Sequence, residues 1–195
     1  MTGQGSGGWQ TFGERTVYDD RWVRLGLVDV RAPNGERWEY HVVHLARIAV
    51  ALLVDDADRV LMLRRYRFIP GQWGYELLGG LVEDGEEPAA TAAREAAEES
   101  GWAPVGEPTR LVGFEPLPGN VTAPTAVYLW REFERIGEPT DAEEVGTVEW
   151  VPLSRMTDLA ARGELLGAGT LVAVLHHLAS RPCGGPGSNR QPDGL

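Results

Sequence analysis

The chain contains no lysine, so all 18 of its basic residues are arginine. Covalent catalysis through a lysine amine is therefore excluded by composition. There is a single cysteine, Cys183, in a Gly/Pro-rich tail, and it can form no internal disulfide. That fits a reducing cytoplasm. No apolar run reaches the length needed to span a bilayer. The first eight residues lack both the basic flank and the apolar stretch of a secretory signal. Positive charge is scarce: 18 arginines face 29 acidic residues, a net charge of −11. Such a surface repels nucleic-acid backbones unless it carries a basic groove, and the sequence has none. Neither a nucleic-acid nor a membrane partner is expected.

The chain has 195 residues, 43% hydrophobic and 24% charged, which suits one globular domain with a small appendage. Residues 1–15 read as a flexible Gly-rich leader and 16–46 as an N-terminal antiparallel β extension. The main domain spans 47–180, and 181–195 read as a disordered tail. Two strands, Val17–Arg31 and Arg37–Leu45, flank the turn signal Pro33-Asn34-Gly35. Ile48–Val54 is a continuous apolar run, and Val60–Tyr66 resumes the strand pattern. Gly71–Gly74 reads as a break, and Tyr75–Leu78 as a short strand leading to Gly79-Gly80. Further strands are expected at Leu111–Glu115, Ala126–Phe133 and Thr147–Val151, with short helices at 154–161 and 170–180. Strands first, then helices among strands, give an α/β or α+β sandwich.

The most informative stretch runs from Gly80 to Trp102. Pro88 suits a first helical turn, alanines fill the middle, and Gly101 stands where a helix stops. Glu95, Glu98 and Glu99 are spaced i, i+3, i+4 and share one face of that helix. Three like charges there need cations. Arg94 is the one arginine adjacent in sequence, and a hard divalent ion with oxygen ligands is the other solution. Gly79-Gly80 lets the backbone pass close to that face, where a carbonyl could be another ligand. Glu86 favours the positive end of the helix and can pair with Arg94.

The pattern G-x5-E-x7-R-E-U-x-E-E-x-G-U, with U apolar, is the Nudix box. All seven of its fixed residues are present: Gly80, Glu86, Arg94, Glu95, Glu98, Glu99 and Gly101. A chance match is on the order of 10⁻⁵. Ala96 and Trp102 depart from the usual aliphatics, which touches packing rather than ligands. The chain resembles the Nudix hydrolase superfamily, and within it the ADP-ribose pyrophosphatase group, from about Val17 to Ser180. Val60 to Arg67 resembles a strand ending in Gln-Tyr-Arg, with Arg65 in place of the glutamine. Glu76-Leu-Leu-Gly-Gly80 resembles a Glu-Leu-Pro-Ala-Gly segment. Pro116-Leu-Pro118-Gly119 resembles the loop associated with ADP-ribose specificity. The glutamate usual downstream is absent, because Val121-Thr-Ala-Pro124 occupies that stretch.

The resemblance implies an α/β/α sandwich around a mixed sheet and hydrolysis of a nucleoside diphosphate linked to X, an ADP-sugar such as ADP-ribose first. It implies Mg²⁺ or Mn²⁺ held by Glu95, Glu98, Glu99 and the Gly79 carbonyl. It also implies a homodimer whose N-terminal strands reach the partner's substrate pocket. The general base is Glu98, or Glu143 or Glu144 in the acidic loop before Thr147. Arg67 is the expected phosphate clamp. Glu76 would hold a metal or substrate, and an aromatic such as Trp38 would stack on a base. Trp22, Trp38 and Tyr40 read first as core or dimer packing and only second as a base-stacking group, and the four histidines read as structural. Other nucleotide-sugars, (deoxy)nucleoside triphosphates and a non-catalytic nucleotide-sensing role stay open. RNA decapping is disfavoured by the charge.

Overall fold

The structure, a computed structural model, describes residues 3–4, 7–140 and 146–181. The N-terminal strands are β1 (Gly3–Gln4), β2 (Gln10–Asp19), β3 (Arg24–Arg31) and β4 (Arg37–His44). Then come β5 (Ile48–Leu53), β6 (Arg59–Arg67), β7 (Gln72–Glu76), β8 (Leu78–Leu81) and helix α1 (Pro88–Ser100). After it follow β9 (Trp102–Pro104), β10 (Thr109–Phe114), β11 (Val121–Thr122), β12 (Thr125–Trp130), β13 (Phe133–Arg135) and β14 (Gly146–Pro152). A 3₁₀ turn, Leu153–Arg155, leads into α2 (Met156–Ala161), and α3 (Ala168–Ser180) ends the described fold.

Two sheets, ordered β10-β12-β5-β8 and β14-β6-β7, form the middle layer. Strand β12 runs parallel to β5 and the other neighbours in these sheets are antiparallel, so the layer is mixed. The apolar run of β5 is explained by burial on both faces. Ala49, Ala51 and Leu53 pack with Ala92 and Ala96 of α1. The alternate residues Val50 and Leu52 pack with Met156 and Leu159 of α2 and Ala173 and Val174 of α3. Strand β6 divides in the same way, Leu61 and Leu63 toward α1, Val60 and Met62 toward α2 and α3. The period-2 alternation of side chains thus builds an α/β/α sandwich. The alanines on both sides let α1 lie close to β5 and β8. Trp102, the enlarged apolar position after the box, packs edge-on against Phe133 and Trp150.

A third sheet, ordered β1-β2-β3-β4-β11, is the N-terminal extension. Its register holds Val30 opposite Trp38 and Val43 opposite Val121. The turn at Pro33-Asn34-Gly35 is present, with Ala32 N–H bonded to the Glu36 carbonyl at 2.9 Å. Tyr40 donates its hydroxyl to the Gly119 carbonyl at 2.9 Å, which ties the Pro116–Gly119 loop to this sheet.

Three expectations need correction. Strand structure begins within the stretch read as a leader, at Gly3–Gln4 and again at Gln10. The expected strand Val17–Arg31 is two strands, because Asp20 Oδ1 accepts the N–H groups of Trp22 and Val23 at 2.8 and 2.9 Å and folds a turn. Gly71–Gly74 is not a continuous break: β7 runs through Gly74. There a Cβ would stand 2.4 Å from Leu166 Cγ, so this glycine serves close packing.

Gly101 ends α1 at φ +73°, and a Cβ on it would stand 2.2 Å from the Gly137 carbonyl oxygen. Gly101→Ala combines left-handed strain with a backbone clash and is expected to cost roughly 2–4 kcal/mol. Urea denaturation measures this, and a midpoint equal to wild type would contradict the assigned close approach.

Candidate active site

The site begins with the way α1 meets the sheet. Pro88 opens the helix and Glu87 supplies no side-chain cap. Ala92, Ala96 and Glu99 follow one another along the buried stripe, so the third position of an apolar row is a carboxylate. Glu99 has a side chain only 2% exposed. Among its partners, the Gly79 N–H bonds Oε2 at 2.8 Å, and Arg65 Nη1 stands 3.4 Å from Oε1. Glu95 is partly buried, and Glu98 is the most open of the three.

Gly79 and Gly80 make this approach feasible. A Cβ on Gly79 would lie 2.3 Å from the Ala49 carbonyl oxygen, and one on Gly80 would lie 2.4 Å from the Glu95 carboxyl carbon. Backbone and carboxylate therefore occupy space that any larger residue would fill.

Arginines organise the rest. Arg94 Nε and Nη2 reach the two oxygens of Glu86 at 3.1 and 3.3 Å, and its Nη1 donates to both Glu95 and Glu98 at 2.9 Å. The hydrogen bond from Arg94 pulls the Glu86 carboxyl down to about 2. The same pairing, with Glu86 first, raises the Arg94 guanidinium above its ordinary value. On the neighbouring sheet, Glu76 accepts from Arg65 Nε and Nη2 at 2.8 and 2.5 Å, and from Arg67 Nε and Nη2 at 2.9 and 2.7 Å. Burial pushes the Glu76 carboxyl up, but the Arg67 and Arg65 guanidiniums outweigh it and hold it low.

Arg67 and Glu76 line two adjoining cavities. One, of about 290 Å³, also touches Gly79, Pro116 and the start of α3 at Gly167–Thr170. The other, of about 570 Å³, opens toward Phe68, Ile69 and Leu166. Pro116 of the Pro-containing loop, Arg67, Glu76 and Gly79 thus share one cleft.

The expected site residues divide into three groups. Glu95, Glu98, Glu99, Gly79, Gly80, Glu86 and Arg94 are brought together, and Arg67 and Glu76 adjoin them through Arg65 and Glu99. The glutamates do not stand as a ready triad, however. Arg94 and Arg65 draw them to different partners, and among the described residues no three acidic, histidine or cysteine side chains stand close enough to hold one ion as arranged. Trp38 lies in the N-terminal sheet, edge-on to Trp9 at 5.7 Å. Glu143 and Glu144 lie outside the described residues. Arg65 was not anticipated as part of the site. It follows Leu61 and Leu63 in the inward-facing positions of β6, and that two-residue period is the signal that places it inside.

A helix face of carboxylates thus stands beside a cleft lined by Arg65, Arg67 and Glu76, an arrangement that can receive a phosphate-bearing compound. Comparison with known proteins agrees. The NUDIX domain family model matches residues 44–168. A CMP-5'-(N-acetyl-N-hydroxy-3-aminopropyl)phosphonate hydrolase of Streptomyces rubellomurinus is 38% identical over 86% of this chain and 81% of its own. An ADP-ribose pyrophosphatase of Bacillus subtilis is 27% identical over 85% of this chain and 90% of its own. A crystal structure of an ADP compounds hydrolase superposes with a TM-score of 0.75 at 20% identity, covering 91% of this chain and 96% of that one, and shares the fold. The chain belongs to the Nudix family. Within it, the chain is a hydrolase similar to the ADP-ribose pyrophosphatases.

The depressed Glu86 carboxyl links this site to stability. Its folded value, about 2, lies below the ordinary 4.5, so its contribution is full above pH 4.5 and is lost as the pH falls toward 2. The stability gap between wild type and Glu86→Gln should therefore be largest near neutrality and close between those pH values. Thermal melts of both proteins across that range test this, and a pH-independent gap would contradict the Arg94 pairing.

Proposed function

We propose that the chain hydrolyses the phosphoanhydride bridge of a nucleoside diphosphate linked to a second group X. An ADP-sugar such as ADP-ribose, cut to AMP and ribose 5-phosphate, is the leading substrate. The observation that carries this reading is the cleft in which Gly79, Arg67, Glu76 and Pro116 meet beside the buried end of the glutamate helix. Such a cleft offers guanidiniums to a diphosphate, and Gly79 in its lining is hydrogen-bonded to Glu99 at the end of the glutamate helix.

The donor set fits Mg²⁺ or Mn²⁺: every candidate is a hard oxygen, and the missing side chain at Gly80 leaves Glu95 a cradle against the backbone. Glu95, Glu98 and Glu99 would hold the ion, with the Gly79 carbonyl beside them. When bound, a divalent ion neutralises phosphate charge and lowers the pKa of water. Arg94 releases Glu95 and Glu98 through its Nη1 and keeps Glu86, so the loop stays fixed to the helix. Arg67 turns from Glu76 to the phosphate oxygens, which a guanidinium fork matches. Water attacks one phosphorus, the bridging P–O bond breaks, and the departing phosphate takes the electron pair. Glu98 accepts the water's proton, because its side chain, 45% exposed, is the most accessible box carboxylate. Glu143 and Glu144 are the second candidates for that role.

A second reading, a nucleoside monophosphate joined to a phosphonate, is favoured by the 38% identity to the CMP-linked phosphonate hydrolase. The stretch Val121-Thr-Ala-Pro124, which lacks a carboxylate downstream of the Pro loop, points the same way. The chemistry at the bridge is the same, and the choice lies in the groups that flank it.

The N-terminal strands support a homodimer. Trp9, Val17, Tyr18, Trp22, Trp38 and Tyr40 are all at least 37% exposed in or beside that sheet. A second copy covering them would also bring Trp38 toward a nucleobase. No helix among the described residues is long and apolar enough to cross a membrane.

A substrate panel tests the activity. AMP plus ribose 5-phosphate from ADP-ribose supports the first reading, and preference for a CMP-linked phosphonate supports the second. Inertness toward all such compounds with Mg²⁺ and Mn²⁺ would overturn both. Glu98→Gln should lower kcat by about 10²–10⁴ while leaving the fold intact. An unchanged kcat removes Glu98 as the base. Light scattering should give twice the chain mass in solution, and a monomer would remove the dimer.

A further inference from the structure

Arg65 and Arg67 stand two residues apart on β6, so both project from the same face, and both end on one carboxylate, Glu76. They differ in access. The Arg65 side chain is 5% exposed and that of Arg67 is 40% exposed. Arg67 borders both cavities, whereas Arg65 borders only the smaller one. Arg65 also reaches Glu99, whose other oxygen is held by the Gly79 amide.

The charges explain why one carboxylate has two arginines. Glu76 and Glu99 are mostly buried carboxylates; Arg65 reaches both, and Arg67 reaches Glu76. When Arg67 turns toward a substrate phosphate, Glu76 would be left as a mostly buried, uncompensated anion if Arg67 were its only cation. Leaving such a charge unpaired is strongly unfavourable, and the carboxylate would compete with the phosphate for Arg67. With Arg65 fixed beneath it, Glu76 keeps two hydrogen bonds throughout.

We propose that Arg65 is a positioning residue: it is the standing partner of Glu76 and Glu99 that frees Arg67 to bind the substrate's phosphates. The inference rests on the reading of Arg67 as a phosphate clamp. Its effect falls on substrate binding more than on the bond-breaking step, because Arg65 acts through Arg67 and the carboxylates.

The test compares Arg65→Gln, Arg67→Gln and the double variant Arg65→Gln/Glu76→Gln. Binding of α,β-methylene-ADP in the presence of Mn²⁺ is followed by calorimetry, alongside KM and kcat on the substrate that the panel identifies. Arg65→Gln should weaken analogue binding and raise KM by at least about tenfold, with a smaller change in kcat. The double variant should recover most of that loss, since removing the Glu76 charge releases Arg67. Arg65→Lys keeps a buried cation without the planar fork. It should lose several-fold in binding, and it decides the matter if Arg65→Gln does not fold. Loss of binding in Arg67→Gln with none in Arg65→Gln or Arg65→Lys overturns the inference and leaves the proposed function standing. Wild-type binding by Arg67→Gln removes the clamp itself and the inference with it. A double variant no better than Arg65→Gln also overturns the inference.

Discussion

The site depends on one constraint: a carboxylate occupies a position that the packing of α1 would otherwise give to an apolar side chain. Glu99 continues the stripe of Ala92 and Ala96 into the sheet and is almost wholly buried. Burying a carboxylate is tolerated only where fixed donors replace water. Among its donors, the Gly79 amide comes from β8 and the Arg65 guanidinium from β6, strands of different sheets. Satisfying one buried charge therefore ties the helix to both halves of the middle layer. It also dictates composition nearby. Gly79 has no room for a Cβ against Ala49, and Gly80 has none against Glu95.

The absence of lysine has a counterpart in the geometry. Arg94 serves Glu86, Glu95 and Glu98 with one planar group, and Glu76 takes two guanidiniums at once. A lysine ammonium is a compact point charge without the rigid fork that lets one residue serve several oxygens in fixed directions. At the site, Arg65, Arg67 and Arg94 hold five carboxylates, those of Glu76, Glu86, Glu95, Glu98 and Glu99. Two arginine-centred groups hold the carboxylates, one around Arg94 at the loop and one around Glu76 in the cleft. The first fixes the loop before the helix, and the second prepares the face on which a diphosphate would lie.

Much of this was legible in the sequence. The spacing of Gly80, Glu86, Arg94, Glu95, Glu98, Glu99 and Gly101 located the loop, the helix and its end, and the apolar run at Ile48–Val54 located a strand, which the structure buries on both faces. What escaped depends on contacts that spacing does not encode. Asp20 turns the chain through its side chain, which splits one expected strand in two. Gly74 serves packing against Leu166 rather than a turn. Arg65 stood in the sequence only as a replacement for a glutamine, and the pairing of β6 with β7 is what sets it against Glu76. The glutamates share a helix face as their spacing requires, yet Arg94 draws Glu95 and Glu98 while Arg65 draws Glu99. Helical periodicity fixes where a side chain starts, not the partner it finds.

The proposed function requires that Glu95 and Glu98, released from Arg94, converge with Glu99 on a divalent ion against Gly79 and Gly80. The most direct measurement is an anomalous difference map from crystals soaked in Mn²⁺. The account predicts a peak within coordination distance of Glu95, Glu98 and Glu99, with Arg94 withdrawn toward Glu86. A map without such a peak, with Arg94 still bridging Glu95 and Glu98, would contradict it.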